Sequence, residues 1–200
     1  MSVKVVPGQK KWKIHFSKLS LISAPGLLRG LFGPRAREVL EYVYLSGKKN
    51  LFFYQNTYFG LVDGKPAGLA LVYAHEQKSG TWFPMARDFL KAGGPGMVLQ
   101  AKYIMKADKL MAPTKKGQSY LNNFGVYQQY RDKGVGTAIM EHVFKDAKKK
   151  GSTHIILDVE TENKIAMRFY YKLGFKKMGE PYVIPTKAKS HEFISLKKKL

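Results

Sequence analysis

The sequence predicts one α/β domain in which a mixed sheet is flanked by helices, and three observations support that prediction. A length of 200 residues suits a single domain with its own core. Residues 58–73 hold two apolar segments around the turn signal Asp63-Gly64, a pattern typical of an antiparallel hairpin. Residues 119–159 follow the order strand, glycine turn, helix, strand, and the second strand has the continuous apolar run of a buried parallel strand.

The first part of the chain is predicted to contain a short strand and two helical pieces. Residues 3–6 open the sheet. Residues 18–46 are predicted to be helical in two pieces, interrupted around Pro25-Gly26 and Gly33-Pro34. The second piece has apolar residues at helical spacing, namely Ala36, Val39, Leu40, Val43 and Tyr44.

Residues 79–118 are predicted to form two further helices, joined by a flexible turn at residues 93–96. Each helix has apolar residues at helical spacing: Trp82, Met85, Phe89 and Leu90 in the first, and Met97, Ala101, Ile104 and Met105 in the second. Two roles remain open for the pair. One is a lid or wall of a binding pocket with the glycines as hinge; the other is a hairpin that packs on the sheet edge or forms a dimer contact.

The most informative segment is the glycine turn at residues 130–138, in which Arg131, Gly134 and Gly136 have the spacing R-x-x-G-x-G. The helix that follows it leaves unpaired N–H groups and about half a positive charge at its N-terminus, so the turn suits a phosphate or pyrophosphate. The P-loop pattern is absent, and the dinucleotide pattern G-x-G-x-x-G fails because Ile139 stands at its third glycine position.

The elements beside this turn are also readable. Gly125, inside the preceding strand, predicts a bulge or a close approach of another backbone. The following helix has apolar residues at helical spacing and ends with Lys148, Lys149, Lys150 and a capping Gly151. Residues 163–175 form a second block, predicted to be a short helix that begins at a capping Asn163 and ends at Gly174. By itself this block is typical of a packed helix with an exposed tyrosine edge.

Together the two blocks resemble the GCN5-related N-acetyltransferase (GNAT) family. The matching motifs lie in residues 119–180 and the first half matches only in layout; the motifs are Arg131-x-x-Gly134-x-Gly136, Leu157-Asp158-Val159 and Asn163-x-x-Ala166-x-x-x-Tyr170-x-Lys172-Leu173-Gly174-Phe175. The resemblance implies a twisted, mainly antiparallel sheet in one acetyltransferase-like domain over residues 1–200, with 79–118 as a helical insertion before the cofactor-binding strand. It also implies direct transfer of an acetyl group from acetyl-CoA, a co-substrate, to an amine in a ternary complex.

The resemblance further implies which residues bind acetyl-CoA. The backbone of the glycine turn would wrap the pyrophosphate, through Arg131, Asp132, Lys133, Gly134, Val135, Gly136 and Thr137. The preceding strand would pair with the pantetheine arm and supply an oxyanion-hole-type donor to the thioester carbonyl, through Phe124, Gly125 and Val126. Asn163 falls where the family contacts the cofactor arm, and Lys172 falls near the CoA phosphates.

Tyr170 aligns with the tyrosine that acts as general acid in the family. A phenol has a pKa of about 10, so it stays protonated at neutral pH and can donate a proton to the leaving thiolate. Tyr171 is the next residue, about 100° further round the helix, and should not share that role. The general base stays open, because the cofactor strand carries Asn122 and Asn123 where a carboxylate is common. The other candidates are Glu76 with His75, Glu160, and Glu192 with His191.

The chain is strongly basic, with 35 Lys and Arg against 14 Asp and Glu and a net charge of +21. Such a surface attracts polyanions, including CoA, acidic substrates, ribosomal RNA and other nucleic acids. Arginine is the better residue for bidentate phosphate or base recognition. It is scarce here, and no nucleic-acid-binding motif is present; the arginines are Arg29, Arg35, Arg37, Arg87, Arg131 and Arg168. A lysine-rich solvated surface is therefore favoured over a nucleic-acid or ribosome partner.

Composition also excludes several classes of site. The chain has no cysteine, which excludes disulfides, thiolate metal sites and a cysteine nucleophile. Its five histidines lack a metal-ligand spacing such as H-E-x-x-H, so no metal site is predicted. Neither a bilayer-spanning apolar stretch nor a signal-peptide pattern is present, so we expect a cytoplasmic protein without a membrane partner, as monomer or homodimer.

The expected function is therefore acetyl transfer to a primary amine, with a small molecule as the first choice of acceptor. A protein acceptor, through its N-terminus or a lysine, is the first alternative. The second is a non-catalytic acyl-CoA-binding module associated with nucleic acid or the ribosome, which the missing strand carboxylate favours.

Overall fold

A computed structural model describes residues 2–200 and shows one seven-stranded sheet in the order β1-β2-β3-β4-β5-β7-β6. Every neighbouring pair is antiparallel except β4 and β5, which are parallel. The strands are β1 (Lys4–Pro7), β2 (Thr57–Val62), β3 (Lys65–Ala74), β4 (Gln118–Val126), β5 (His154–Glu160), β6 (Lys176–Pro185) and β7 (Ser190–Lys199). The predicted mixed, mainly antiparallel sheet is confirmed.

Seven α-helices lie within residues 2–200: α1 (Lys13–Ser23), α2 (Pro25–Phe32), α3 (Ala36–Leu45), α4 (Trp82–Gly93), α5 (Gly96–Leu110), α6 (Val135–Lys149) and α7 (Lys164–Lys172). The hairpin is confirmed, with positive φ at both Asp63 and Gly64. The two helices within residues 79–118 are also confirmed, and Gly94 has a φ of 68° at their junction.

The prediction for residues 18–46 was wrong in its boundaries. Three helices occupy this part of the chain, and the first begins at Lys13. The predicted break around Pro25-Gly26 is confirmed, since α1 ends at Ser23 and α2 begins at Pro25. Proline suits this position because the first helical residue needs no N–H donor and favours the fixed φ of proline. The interruption at Gly33-Pro34 is confirmed as a short 3₁₀ turn.

The sheet separates two apolar cores. Helices α1–α5 pack on one face, where Phe16, Leu40 and Phe59 are fully buried. Helices α6 and α7 pack on the other face against the central strands. Helix α6 can lie close to β2 and β3 because both strands carry a glycine under Ile139. A Cβ added at Gly60 or Gly68 would stand 2.8 Å from that side chain.

Strand β4, which lines the candidate site, has two irregularities. Asn122 is an extra residue in the ladder with β3, since Leu71 faces Asn123 whereas Val72 faces Leu121. The prediction for Gly125 is resolved as a close approach, because a Cβ there would lie 2.6 Å from the Leu19 carbonyl oxygen of α1. Within residues 2–200, no helix has the length and apolar character needed to cross a membrane.

Candidate active site

The centre of the site is the point where β4 and β5 diverge. Their parallel pairing runs from Gln118 with His154 to Leu121 with Leu157 and then stops. Both strands continue, β4 as far as Val126 and β5 as far as Glu160. The edge of β4 that faces β5 therefore has backbone N–H and C=O groups without a strand partner after Leu121, which a ligand with amide groups can pair with.

The glycine turn stands at the end of this open edge. Asp132 and Gly134 both have positive φ, at 58° and 77°, which folds the chain sharply into α6. Gly134 is the N-cap of α6 and no side chain caps the first turn. The first N–H groups of α6 are thus left for an anion. Arg131 closes the turn, since its Nε donates to the Val126 carbonyl oxygen at 3.3 Å.

Two aromatic rings support the turn from the side of α7. Phe124 and Phe169 are stacked, with ring centroids 5.3 Å apart and an interplanar angle of 10°. A Cβ at Gly136 would lie 3.3 Å from both rings, so glycine here allows α6 to rest directly on them. These ring contacts consequently fix the position of the α6 N-terminus relative to β4.

Tyr170 lies on α7 next to this aromatic pair. It is 7% exposed, and Phe124 and Phe175 flank its ring. Burial raises the pKa of the Tyr170 phenol well above its ordinary value. Helix α7 begins as predicted, since Asn163 Oδ1 accepts from the Ala166 N–H at 3.1 Å. Tyr171, the next residue, is 38% exposed.

Asp158 is the first residue of β5 beyond the last β4–β5 pair. Its carboxylate accepts three hydrogen bonds, from the Ala112 N–H at 2.9 Å, the Tyr120 hydroxyl at 2.8 Å and the Ser195 hydroxyl at 2.5 Å. These donors belong to the segment after α5, to β4 and to β7. Asp158 therefore fixes the end of the helical insertion against the sheet at the point where the strands diverge.

A cavity of about 1080 Å³ follows this split from the glycine turn to the space beneath α4 and α5. Of the residues predicted for cofactor binding and catalysis, the cavity is lined by Phe124, Gly125, Val126, Arg131, Asp132, Gly134, Gly136, Thr137, Asn163, Tyr170 and Lys172. Two others lie elsewhere. Val135 is fully buried in the core beneath α6, and Lys133 is an exposed residue that does not line the cavity.

The structure also separates the candidates for general base. Glu76 is exposed and accepts from the Gly117 N–H, while Glu192 is exposed and accepts from the Thr161 hydroxyl; neither lines the cavity. Glu160 does line it, and its Oε1 lies 3.0 Å from Nδ1 of buried His191.

Sequence reasoning missed two carboxylates and an aromatic cluster. Asp158 and Asp108 line the cavity, as do Phe32, Phe52 and Phe89. The signal for Asp158 was a carboxylate directly after the apolar run at residues 155–157, where burial is costly unless the charge is partnered. The phenylalanines gave no signal beyond ordinary core spacing. Within residues 2–200, no group of three His, Cys, Asp or Glu side chains is arranged to hold a metal ion.

Comparison with curated proteins finds relatives that match about a third of the chain. N-alpha-acetyltransferase 30 of Schizosaccharomyces pombe is 32% identical over 72 residues, which are 36% of this chain and 47% of that protein. The chain spans only about a third to a half of the length of such relatives.

Solved structures match over nearly the whole chain. An N-acetyltransferase from Staphylococcus aureus Mu50 has a TM-score of 0.68 at 16% identity, covering 98% of this chain and 100% of that one. The PaiA N-acetyltransferase of Thermoplasma acidophilum, solved in complex with coenzyme A, has a TM-score of 0.58 at 15% identity and 100% coverage of both chains. At such identities the likeness shows the shared fold. A model of the acetyltransferase (GNAT) family matches residues 32–175, well over half of the sequence. The chain therefore belongs to the GNAT acetyltransferase family.

Proposed function

We propose that this protein is an N-acetyltransferase that moves an acetyl group from acetyl-CoA to the primary amine of a small molecule, by direct attack in a ternary complex. One observation carries the proposal. A single cavity of about 1080 Å³ joins the uncapped N-terminus of α6, the open edge of β4 and a compartment beside β5. A CoA thioester needs a phosphate site, a backbone edge for its amide-bearing arm and access to an acceptor, and the residues present fit all three needs.

The proposed cofactor contacts are mostly backbone contacts. The N–H groups of the first turn of α6 would hold the pyrophosphate, helped by the helix dipole. Val135 can contribute only its backbone, because its side chain is buried in the core. Residues 124–126 would pair with the arm. Asn163 would meet the arm through its amide nitrogen, since its Oδ1 already caps α7.

The proposed chemistry is one exchange of bonds at the acetyl carbon. Bound acetyl-CoA would supply an activated acyl group. An amine that arrives as an ammonium ion first releases one proton to solvent. The neutral nitrogen then forms the carbon–nitrogen bond, the carbon–sulfur bond breaks, and one further proton passes in net from nitrogen to sulfur. Tyr170 is assigned the role of general acid, which donates a proton to the leaving sulfur. Because burial raises the pKa of Tyr170, its hydroxyl remains protonated throughout the physiological pH range.

Asp158 is assigned the role of binding the acceptor amine. It replaces the exposed Glu76 and Glu192, and it is preferred to Glu160 because Glu160 Oε1 lies against buried His191. A carboxylate has about four lone-pair sites, and three protein donors occupy Asp158. The remaining position lies near the Tyr182 hydroxyl, which makes no hydrogen bond to residues 2–200. It can accept a single N–H of the amine, which would give the nitrogen a defined direction. The absence of a carboxylate on β4 had favoured a non-catalytic acyl-CoA-binding module. Asp158 would supply that carboxylate from β5 instead.

A protein N-terminus is the second candidate acceptor. The name of the Schizosaccharomyces pombe relative favours it, since that protein is an N-alpha-acetyltransferase. A small molecule is preferred because side chains of both insertion helices cover the acceptor side of the cavity, among them Met85, Phe89 and Ile104. A folded protein could present only a narrow, extended terminus to such a compartment.

The test is thiol release from acetyl-CoA by Tyr170→Phe, with Tyr171→Phe as the matched control on the same helix. We expect Tyr170→Phe to lower kcat about 10²–10³-fold, the usual share of a general acid. Acetyl-CoA affinity, measured by calorimetry, should change less than about twofold, and Tyr171→Phe should leave both quantities unchanged. A wild-type kcat in Tyr170→Phe would remove Tyr170 from the mechanism.

A further inference from the structure

The acceptor compartment has an apolar floor of three phenylalanine rings from separate parts of the chain. Phe32 ends α2, Phe52 lies in the loop before β2, and Phe89 lies on α4. Their centroids are 5.1 Å apart for Phe32 and Phe89, 6.0 Å for Phe52 and Phe89, and 6.4 Å for Phe32 and Phe52. Each ring is less than 10% exposed and lines the cavity. The floor is extended by Leu27, Leu28, Leu31, Leu51, Met85, Ile104 and Met111.

The wall of this compartment is polar and acidic. Asp158 and Tyr120 form part of it, and the Tyr73 hydroxyl accepts from Asn122 Nδ2 at 3.3 Å. Asp108 of α5 adds a second carboxylate. Burial raises the pKa of Tyr73, and the negative charges of Asp108 and Asp158 raise it further. Both carboxylates thus act on the same small region beside the diverging strands.

The charge of this wall is opposite to that of the whole protein. The chain carries a net +21, which repels cations at long range. Among the residues that line this end of the cavity, Lys78 is the one cation, and its Nζ donates to the Ala112 carbonyl oxygen at 3.2 Å. Asp108 and Asp158 line the same end, and Glu160 further along β5 lies against His191, so the carboxylates outnumber the lysine and the compartment favours one positive charge in spite of the surface.

We propose that the acceptor is a monocationic primary amine carried on an apolar body of about one aromatic ring, as in an arylalkylamine. The ammonium would lie against Asp158 and Asp108, and the ring would lie on the floor formed by Phe32, Phe52 and Phe89. This inference rests on the proposed acetyl transfer and specifies its substrate class. A polyamine fits less well, because a second ammonium on the phenylalanine floor would lose its hydration without gaining a partner.

The first test is a series of primary amines with the wild-type protein and acetyl-CoA: 2-phenylethylamine, ethylamine, spermidine and a tetrapeptide with a free N-terminus. We expect kcat/KM for 2-phenylethylamine to exceed that of each other amine at least tenfold, since the ring removes apolar surface from water. Equal values for ethylamine, or a preference for spermidine or the peptide, would overturn the arylalkylamine assignment and leave acetyl transfer standing. Absence of thiol release with every amine would overturn both proposals.

The second test uses the same substitution on two faces of α4. Phe89→Leu removes a ring from the floor, whereas Phe83→Leu changes a side chain that is 83% exposed. We expect Phe89→Leu to raise KM for 2-phenylethylamine at least fivefold and to leave KM for acetyl-CoA within twofold. Phe83→Leu should change neither constant. An unchanged amine KM in folded Phe89→Leu would contradict the assigned floor.

A third variant keeps the inference testable if Phe89→Leu fails to fold. Asp108 is exposed at the rim and makes no hydrogen bond to another side chain in residues 2–200, so Asp108→Asn should fold normally. We expect it to raise KM for 2-phenylethylamine about threefold to tenfold, with acetyl-CoA KM unchanged. An amine KM equal to that of the wild type would remove Asp108 from the site.

Discussion

The two ends of the cavity are built from different kinds of sequence. We call the end proposed to bind acetyl-CoA the cofactor end, and the end proposed to bind the amine the acceptor end. The cofactor end comes from two short continuous stretches, residues 122–137 and 163–172, and offers mainly backbone groups. The acceptor end is assembled from α2, the loop before β2, β3, α4, α5 and β5, and offers mainly side chains. This difference between backbone and side-chain groups suits the ligand that each end is proposed to bind. Backbone geometry can recognise one fixed ligand, whereas side chains from distant segments can change to select another acceptor.

Gly125→Ala should have the largest effect, because this residue joins the two ends. A Cβ would lie 2.6 Å from the Leu19 carbonyl oxygen, which is backbone and cannot rotate away. We expect the free energy of unfolding to fall by about 1–3 kcal/mol, and both acetyl-CoA affinity and amine turnover to fall with it. Denaturant unfolding and calorimetry measure these quantities.

Gly96→Ala is the control for this change. A Cβ at Gly96, the first residue of α5, meets no atom within 4 Å, so stability should hold or rise slightly. Wild-type stability in Gly125→Ala would mean that α1 and β4 are further apart than described.

Gly134→Ala should affect acetyl-CoA binding at the cofactor end but not amine binding at the acceptor end. Gly134 has a φ of 77° in open space, so alanine would suffer only the strain of a left-handed backbone, about 1–2 kcal/mol. We expect the alanine variant to relieve this strain by moving the turn away from its cofactor-binding shape. Restoring that shape on binding would weaken acetyl-CoA affinity by about tenfold, since 1.4 kcal/mol is a factor of ten, while the amine KM changes less than about twofold. Calorimetry and initial-rate kinetics give the two values.

Gly64→Ala places similar strain in the hairpin turn, where φ is 73° and no atom lies within 4 Å. It should lower stability and leave acetyl-CoA affinity unchanged. Equal losses of acetyl-CoA affinity in Gly64→Ala and Gly134→Ala would show that the glycine turn has no specific part in cofactor binding.

The pH dependence of kcat offers the smallest expected effect. A general acid is active while protonated, so activity is lost as pH rises through its pKa. Burial moves the pKa of Tyr170 above its ordinary value of about 10. The loss therefore shifts to higher pH, and kcat should show no fall from Tyr170 between pH 7 and about 10. A falling limb near pH 9 that disappears in Tyr170→Phe would contradict this environment.

The features that could be predicted from sequence lie mainly at the cofactor end of the cavity and in local turns and caps. The hairpin turn, the glycine turn before α6 and the Asn163 cap were readable because each depends on a few adjacent residues. The start of α1 at Lys13 was not readable, because the helix has little apolar periodicity and tertiary packing decides the boundary. The roles proposed for the site residues remain predictions.

The acceptor end was unreadable for a physical reason. Phe32, Phe52 and Phe89 meet only because three separate segments pack together, and each alone has the spacing of an ordinary core residue. Asp158 lies within one of the family motifs. The donors of its three hydrogen bonds, however, belong to residues 112, 120 and 195, which the sequence does not place together. Pairing across such distances depends on the whole topology.

The most direct test of acetyl transfer is amine-dependent thiol release from acetyl-CoA by the wild-type protein, with the product identified by mass. We expect thiol release with 2-phenylethylamine to far exceed the rate without amine, and one N-acetylated product molecule to form for each thiol. Tight binding of acetyl-CoA by calorimetry, with no amine-dependent release and no acetylated product, would contradict the proposed acetyl transfer and leave a protein that binds the cofactor without transferring its acetyl group.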